Sequence, residues 1–293
     1  MNFDISGLGL VVASSLAWSG LDLSRKLLAG RIREIPLLFW LTALPLPIFM
    51  AWWFYDGVQA VPVDYWLPGV TSIGLNVVAN LSFMRSLRLS PMTATIPLLS
   101  LTPVFTSLVS MPMLHQRLGG RNWLGVALVV GGALLLNLRG GDHKSLGVFW
   151  QALRREHGVP FMALTAFLWS ITPPLDKLAM EQSGAPFHAF MLNAGVGAAM
   201  LVLLVVTRRL GELRTARGSA GAFAAAVVCA FIGLATQLTA FKVVPVGLFE
   251  TIKRGIGFCM AMLSGRLILG ETITTAKLLA VALMGLGVGL IVL

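Results

Sequence analysis

Ten long apolar runs, separated by short polar breaks, constrain the fold of this chain more than any other feature of its sequence. They cover residues 6–29, 36–55, 66–87, 91–114, 122–138, 159–180, 186–207, 219–241, 246–268 and 274–293. A helix of about 20 mostly apolar residues crosses a bilayer, where every backbone polar group must find a partner inside the protein. The runs are too long and too uniformly apolar for barrel strands, which alternate over about ten residues. We therefore predict an all-α integral membrane protein with ten transmembrane helices, numbered span 1 to span 10.

The composition excludes the main soluble classes of protein. Hydrophobic residues make up 57% of the chain and charged residues 12%, against about 25% charged in a soluble domain. The net charge of +10 comes largely from lysines and arginines in short loops, so nucleic acid is not an expected partner. The two cysteines and four histidines lack metal-binding spacing, so we predict neither a metal site nor a cofactor. The expected partners are the lipid bilayer and a small-molecule substrate, with the protein acting as a monomer or a homodimer.

The two halves of the sequence look like copies of each other. Trp18-Ser19 recurs as Trp169-Ser170, 151 residues later, and the pattern Arg88-x-x-Pro91 matches Lys242-x-x-Pro245, 154 residues later. We therefore divide the chain into a first repeat, residues 1–139 with spans 1 to 5, a polar loop, residues 140–157, and a second repeat, residues 158–293 with spans 6 to 10. Because each repeat has an odd number of spans, the second must insert upside down. Inverted repeats are typical of secondary transporters, whose binding site lies between the halves near the midplane.

The same residues resemble a known family. They are the Trp-Ser pair that opens each half, Ser90-Pro91 and Val244-Pro245 before spans 4 and 9, and Leu269-Gly270-Glu271-Thr272 before the glycine-rich span 10. Together they are similar to EamA-type members of the drug/metabolite transporter superfamily, and the similarity extends over nearly the whole chain. Gln116 departs from the pattern, since the family often has Glu there. The resemblance implies a transporter with a central cavity lined by spans 1, 3, 4, 6, 8 and 9.

Span 9 carries three ionisable residues within one helical turn, namely Glu250, Lys253 and Arg254. Their spacing puts them on one face, and each costs about 2.5–3.5 kcal/mol at the centre of a membrane helix. Two interpretations remain open. Either Glu250 neutralises Arg254 and the group reaches the membrane interface, or one cation is left over in a wet cavity. The second interpretation predicts a site for an anionic group of the substrate.

A polar stripe runs along the first span of each half. Trp18 in span 1 and Trp169 in span 6 either pack in the protein or bind substrate. Asp22 and Asp176 are candidates for proton coupling, together with Lys177, or else the two acids pair with Lys26 or Lys177. The Pro173-Pro174 pair is expected to kink span 6.

Amides and glycines complete the set of unusual residues in the spans. Asn76 and Asn80 of span 3 and Gln237 of span 8 either bind polar groups of a substrate or join helices, a role worth about 0.6 kcal/mol on average. Glycines concentrate in the last span of each half and serve either helix packing or a dimer interface. They are Gly125, Gly131, Gly132, Gly285, Gly287 and Gly289.

These features favour a secondary active transporter that moves a small polar or anionic organic metabolite, such as an amino acid or related compound, by alternating access. An enzyme is not expected, because membrane-embedded transferases need clustered carboxylates, a metal site or a nucleophile with a base, and the 12 acidic residues are scattered with no DxxxD-type cluster. Two alternatives remain open: a flippase for a lipid-linked or amphiphilic compound, and a transferase embedded in the membrane. No Walker motif is present, so ATP does not drive transport within this chain.

The distribution of basic residues predicts the orientation in the membrane, which we expect to be a bacterial inner membrane. Sixteen lysines and arginines, among them Arg25, follow odd-numbered spans, and four follow even-numbered spans. Because cytoplasmic loops carry the excess of Lys and Arg, both termini should face outward. A reporter that is active only in the cytoplasm, fused to the C-terminus, should therefore be inactive; an active fusion would reverse this orientation.

Overall fold

The protein is a bundle of helices, seen here in a computed structural model that describes residues 5–29, 31–58, 60–90, 96–140, 156–216, 220–269 and 275–292. No strand occurs in these segments. The spans are Ile5–Ala29 (span 1), Glu34–Ala43 with Leu46–Asp56 (span 2), Trp66–Leu89 (span 3), the 3-10 helix Ile96–Leu101 with Thr102–Leu114 (span 4), Gly120–Gly140 (span 5), Val159–Ser183 (span 6), Ala185–Val206 (span 7), Ala220–Ala240 (span 8), Val246–Leu269 (span 9) and Thr275–Val292 (span 10). Short 3-10 helices, Val63–Tyr65 and Leu210–Ala216, precede span 3 and follow span 7. The predicted all-α membrane fold with ten spans in two repeats is confirmed.

Length and composition separate the spans into three groups. Five described segments are long and apolar enough to cross a membrane: Ser6–Arg25, Glu34–Asp56, Val63–Ser86, Ala185–Val206 and Ala220–Ala240. Three shorter apolar helices lie in spans 4, 5 and 10. Spans 6 and 9, the first and fourth spans of the second repeat, are 25 and 24 residues long and carry ionisable side chains. The sequence motifs at Pro91 and Glu271, and residues 141–155 of the loop between the repeats, lie outside the described residues.

Proline affects spans 2 and 6 differently. In span 2 the first helix ends at Ala43, and a second begins at Leu46 with Pro45 at its N-cap position. The carbonyl of Pro45 accepts hydrogen bonds from the N–H groups of Ile48 (3.0 Å) and Phe49 (3.1 Å), which starts the new helix. Span 6 instead stays a continuous helix across Pro173-Pro174. The two missing N–H groups therefore weaken its hydrogen bonding without ending it.

The two halves pack against each other in a symmetric pattern. Span 1 lies against span 8 and span 3 against span 6, and these two pairs are equivalent when the repeats are exchanged. Spans 1 and 9 form a second pair equivalent to spans 4 and 6, while spans 2 and 7, 4 and 9, and 5 and 10 pair with their own counterparts. The hydrophobic core is thus built between the repeats as well as within them.

Two hydrogen bonds repeat this symmetry at the level of single atoms. The hydroxyl of Ser14 in span 1 donates to the carbonyl oxygen of Gly233 in span 8 (2.8 Å). The hydroxyl of Thr165 in span 6 lies 3.3 Å from the carbonyl oxygen of Ala79 in span 3 and shares its hydrogen with the carbonyl oxygen of Phe161, one turn earlier in its own helix (2.8 Å). Thr165 follows Ser14 by 151 residues, and Gly233 follows Ala79 by 154 residues, as the internal repeat predicts.

The contacts between loops show that the spans alternate in direction. Arg33, before span 2, bonds to Glu212, after span 7 (2.7 Å), and Ser86 at the end of span 3 bonds to the carbonyl of Gly158 before span 6 (2.7 Å). Loops that follow odd-numbered spans therefore meet at one end of the bundle, which we call the odd-loop end. At the opposite end, the even-loop end, the side-chain oxygen of Gln116 accepts a hydrogen bond from the N–H of Val246 (3.1 Å).

An ion-pair cluster ties the two repeats together at the odd-loop end. Arg209 binds both carboxylate oxygens of Glu212 at 2.9 and 2.8 Å, and Arg33 binds the same carboxylate. The hydrogen bond from Arg209 is the main reason that the pKa of Glu212 lies below its ordinary value of 4.5. Because the folded pKa is lowered, this stabilisation is present above the ordinary pKa and is lost as the pH falls through the lowered value.

Glycines let spans 5 and 10 approach closely. A Cβ atom added to Gly125 would lie 2.7 Å from the carbonyl oxygen of Gly287, and one added to Gly132 would lie 2.7 Å from Cγ of Met284. A Cβ atom on the neighbouring Gly131 would meet only Leu283, at 4.0 Å. Gly125, Gly132 and Gly287 therefore serve packing within the chain, the first of the two predicted roles.

Gly132→Ala should destabilise the protein by about 1–3 kcal/mol, because the added methyl group overpacks the contact with span 10. Gly131→Ala is the matched control, and alanine's higher helix propensity should leave it neutral or stabilise it by up to about 1 kcal/mol. Thermal unfolding of the two purified variants in detergent measures the difference. Equal stability of both variants would contradict close packing at Gly132.

Candidate functional site

A cavity of about 90 Å³ lies between the two repeats, in the middle of the bundle. Its walls come from spans 1, 2, 3, 7 and 8. The polar and aromatic lining residues are Trp18, Arg25, Thr42, Asn76, Asn80 and Asn193, and the rest are aliphatic. Trp18, Asn76 and Asn80, three of the residues predicted to bind substrate, thus line the same cavity. We call this space the central cavity.

The central cavity straddles the symmetry axis of the two repeats. Asn76 and Asn80 of span 3 line it, and so do Ala230 and Leu234 of span 8, each 154 residues later in the chain. The lining is therefore symmetric in position but asymmetric in chemistry. At these positions span 3 contributes the amides of Asn76 and Asn80, whereas span 8 contributes the aliphatic side chains of Ala230 and Leu234.

The amides of the central cavity keep hydrogen-bonding capacity for a ligand. Asn76, Asn80 and Asn193 each donate one hydrogen bond to a backbone carbonyl one turn earlier in their own helix, at 3.1, 2.8 and 2.9 Å. This anchors each side chain in one rotamer. Within the described part of the chain, the amide oxygens of all three make no hydrogen bond, and they can accept one from an ammonium, hydroxyl or amide group.

Arg25 lines the central cavity, although the charge count places it in a loop. The structure corrects this: Arg25 lies inside the helix of span 1, with its side chain 19% exposed and an ion pair to Asp22 at 3.2 Å. Its Nε atom is buried and has no hydrogen-bond partner among the described residues. The spacing of seven residues from Trp18 puts both on one helix face, and this signal could have identified Arg25.

Lys253 of span 9 joins Glu250, Gln237 and Trp18 in one cluster beside the cavity. Its ammonium group forms an ion pair with Glu250, lies 3.4 Å from the side-chain oxygen of Gln237, and lies 5.8 Å from the centre of the Trp18 ring. The side chain of Glu250 is 1% exposed. We call this group the span 9 cluster. It brings together four of the predicted binding residues.

The structure shows which cation of span 9 pairs with Glu250. The expected alternative of a Glu250–Arg254 pair is wrong, because Glu250 pairs with Lys253. Arg254 is the cation left over, and its buried Nε atom makes no hydrogen bond within the described part of the chain. Arg254 lines neither the central cavity nor the second cavity described below.

The acidic residues of spans 1 and 6 have partners other than those expected. Asp22 pairs with Arg25 and is 62% exposed. Asp176 is bonded to Ser72 and to Nε2 of His188 (3.1 Å), and not to Lys177. Lys177 instead lies 3.7 Å from Glu181, and the side chain of Lys26 lies outside the described residues.

Trp169 does not line either cavity. Its ring lies 5.2 Å from that of Phe83, next to a small apolar cluster of Leu99, Met162 and Ala166. Its part in substrate binding stays a prediction.

Sequence reasoning missed a buried polar network behind the central cavity. Asp176, His188, Tyr65 and Ser72 are each at most 4% exposed. The hydroxyl of Tyr65 lies 3.3 Å from Nδ1 of His188, whose Nε2 contacts Asp176. His188 and Tyr65 show no spacing signal, because they lie 123 residues apart and meet only in the folded protein.

A second cavity, of about 260 Å³, opens among residues of the even-loop end. It is lined by His115, Gln116, Arg117, Lys177 and Lys242 together with Val243, Val244 and Pro245, so that no acidic side chain of the described chain lines it. We call it the basic vestibule. Its positive charge attracts anions.

Comparison with known proteins identifies a family. The model of the EamA-like transporter family matches residues 5–138 and 157–293, which correspond to the two repeats. No curated protein matches the chain. A solved structure described as "Crystal structure of protein" shares 18% sequence identity with a TM-score of 0.75, over 97% of this chain and 96% of the other. At that identity the likeness shows the fold alone.

Glu250→Gln should cost about 3–5 kcal/mol of stability, because it leaves the ammonium group of Lys253 largely buried without its counter-ion. The double variant Glu250→Gln/Lys253→Met should lose less than the sum of the two single variants. Glu181→Gln removes an exposed acid that pairs with Lys177 one helical turn away, and it should cost less than about 1 kcal/mol. Thermal unfolding in detergent compares them; equal losses for Glu250→Gln and Glu181→Gln would contradict a buried pair.

Proposed function

Because the chain belongs to the EamA-like transporter family, we propose that it is a secondary active transporter for a small polar or anionic organic metabolite, such as an amino acid or a related compound. The observation that carries the proposal is the central cavity, which lies on the symmetry axis and combines one arginine, one tryptophan and three asparagines. Transporters with inverted repeats bind substrate at this place.

The lining chemistry supports an amino acid or a similar compound. Arg25 offers its guanidinium group for a carboxylate, which can bind with two hydrogen bonds. The amide oxygens of Asn76, Asn80 and Asn193 suit an ammonium or hydroxyl group. Trp18 supplies an apolar and aromatic surface for the rest of the molecule.

The charges around the cavity support an anionic group on the substrate. The basic vestibule raises the local concentration of anions at the even-loop end. Lys253 and Arg254 lie on span 9, whose cluster contacts Trp18 from outside the cavity. We propose that these two cations join the binding site when the halves move and the cluster opens.

The size of the central cavity favours alternating access as the mechanism. Its volume of about 90 Å³ is well below the range of about 300–1,000 Å³ usual for sites that bind small molecules. Separation of the repeats at one end would enlarge this space and give a metabolite access to it. At the odd-loop end, the bond between Arg33 and Glu212 joins the two repeats and has to break before that end can open.

We propose a bacterial inner membrane as the location, with both termini outside. The odd-loop end would then face the cytoplasm. Even without Arg25, which lies inside span 1, the lysines and arginines of the loops are concentrated at the odd-loop end.

Thermal-shift screening of the purified protein against amino acids, organic acids and sugar phosphates tests the proposed substrate class. A true ligand at 100 times its Kd should stabilise the protein by about 2.7 kcal/mol. Stabilisation by lipid headgroups alone would favour a flippase and contradict the proposal.

Arg25→Ala, Lys253→Ala and Arg254→Ala should each abolish uptake of the compound found in that screen by proteoliposomes, while leaving the protein inserted. The reason is the loss of a positive group for the anionic part of the substrate. Arg208→Ala, which removes an exposed cation outside both cavities, is the control and should transport normally. Normal transport by all three variants would rule out an anion site formed by these residues.

A further inference from the structure

The buried network formed by Asp176, His188, Tyr65 and Ser72 is not part of the substrate site proposed above. Burying its polar groups nevertheless costs free energy. Asp176 is 4% exposed and His188 is fully buried. A carboxylate taken out of water loses several kcal/mol of solvation, which hydrogen bonds must offset. Ser72 and His188 both donate to the same oxygen of Asp176 and provide this compensation.

The network has room for one more proton. When His188 is neutral with its hydrogen on Nε2, it donates to Asp176, and its Nδ1 accepts from the hydroxyl of Tyr65. When a proton adds to Nδ1, both ring nitrogens donate, and the oxygen of Tyr65 becomes the acceptor. The new positive charge then lies next to the carboxylate. Both protonation states thus keep the same pairs of atoms in contact.

The described charged groups of the neighbouring helices pair elsewhere or lie at other positions, so none of them substitutes for the pairing of Asp176 with His188. On span 6, Lys177 turns to Glu181. Near the ends of the helices that pack around the network, Asp56 and Asp64 are exposed. The described residues of spans 4 and 8 contain no Asp, Glu, Lys or Arg, the arginines of span 3 lie towards its other end, and the ionisable groups of span 9 belong to the span 9 cluster.

Hydrogen bonds connect the network to the central cavity. The amide of Asn76, which lines the cavity, donates to the hydroxyl oxygen of Ser72 (3.3 Å), and Ser72 in turn donates to Asp176. Asn80 also lines the cavity but donates only to the backbone of Asn76 in the described structure. A ligand that hydrogen-bonds to Asn76 therefore changes the strength of the hydrogen bond that Ser72 donates to the carboxylate of Asp176.

The network also joins the two repeats. Tyr65, Ser72 and Asn76 belong to the first repeat, and Asp176 and His188 to the second. A movement of one repeat against the other would pull these pairs apart and admit water to the acid.

From these contacts we propose that Asp176 and His188 form a proton-binding site whose occupancy is linked to the central cavity through Ser72 and Asn76. The inference rests on the proposed transport function and adds a proton as the coupling ion. The proton adds to Nδ1 of His188, reaches it past Tyr65 from the even-loop end, and is held by the carboxylate of Asp176. Loss of the Asn76–Ser72 bond weakens the support of that carboxylate and tightens proton binding.

Nitrogen NMR of the full chain, labelled at its four histidines and reconstituted in lipid, measures the proton directly without any substrate. The signals of His188 are those lost in His188→Gln. Over the pH range in which the protein stays folded, acidification should change His188 from the neutral to the doubly protonated ring if the proton site exists. In Asp176→Asn it should stay neutral, because a buried imidazolium then lacks its counter-ion.

Two matched variants test the link to the cavity. Asn76→Ala should raise the proton affinity of His188 about two- to fivefold, the effect of losing one hydrogen bond. Asn80→Ala removes an amide from the same cavity wall without touching Ser72 and should leave the affinity unchanged. Equal shifts in both variants, or none in Asn76→Ala, would refute the link.

A His188 ring that stays neutral over the whole range, or that titrates identically in Asp176→Asn, would overturn the proton site. Since no substrate takes part, failure here leaves the transport proposal standing. Failure of the uptake experiments would likewise leave the measured proton site intact.

Discussion

The structure depends on equivalent pairs of helix contacts between two repeats that point in opposite directions. Inside a bilayer the hydrophobic effect does not draw helices together, so close contact and interhelical hydrogen bonds must do so. Span 1 packs against span 8 as span 6 packs against span 3. In each contact a hydroxyl, that of Ser14 or Thr165, approaches a backbone carbonyl oxygen of the other helix. Neither repeat contains these partners by itself, and the central cavity lies where the two sets of contacts face each other.

The positions of the spans could be predicted closely from the sequence, because bilayer thickness and backbone hydrogen bonding leave few alternatives. The repeat was visible for the same reason: equivalent places in the two halves select similar residues, as Trp18 and Trp169 show. Proline was harder to interpret. Pro45 ends a helix, whereas Pro173 and Pro174 lie inside one, and only the surrounding packing decides between these outcomes.

The candidate site was predicted in part. The span 9 residues and the span 3 amides stood out because polar groups are expensive in an apolar run. The spacing did not determine their partners, because Glu250 pairs with Lys253 rather than with Arg254 although both cations lie within one helical turn of it. Arg25 was hidden because a cation near the end of a span resembles a loop charge, and its burial follows from contacts with distant spans. The Asp176 network depends on pairs separated by 12 to 123 residues, for which one sequence carries no pattern.

Arg25 and Asp176 occupy equivalent places in the two repeats, 151 residues apart, and they carry opposite charges. In the structure the arginine borders the central cavity, while the aspartate is sealed among Ser72 and His188. If the repeats exchange shapes during transport, the aspartate turns toward water and the arginine must be sealed in its stead, without an equivalent of His188 to receive it. The two end states then differ in energy even when the protein is empty. Under the proposed alternating-access mechanism, this imbalance would give an otherwise symmetric fold a preferred resting direction.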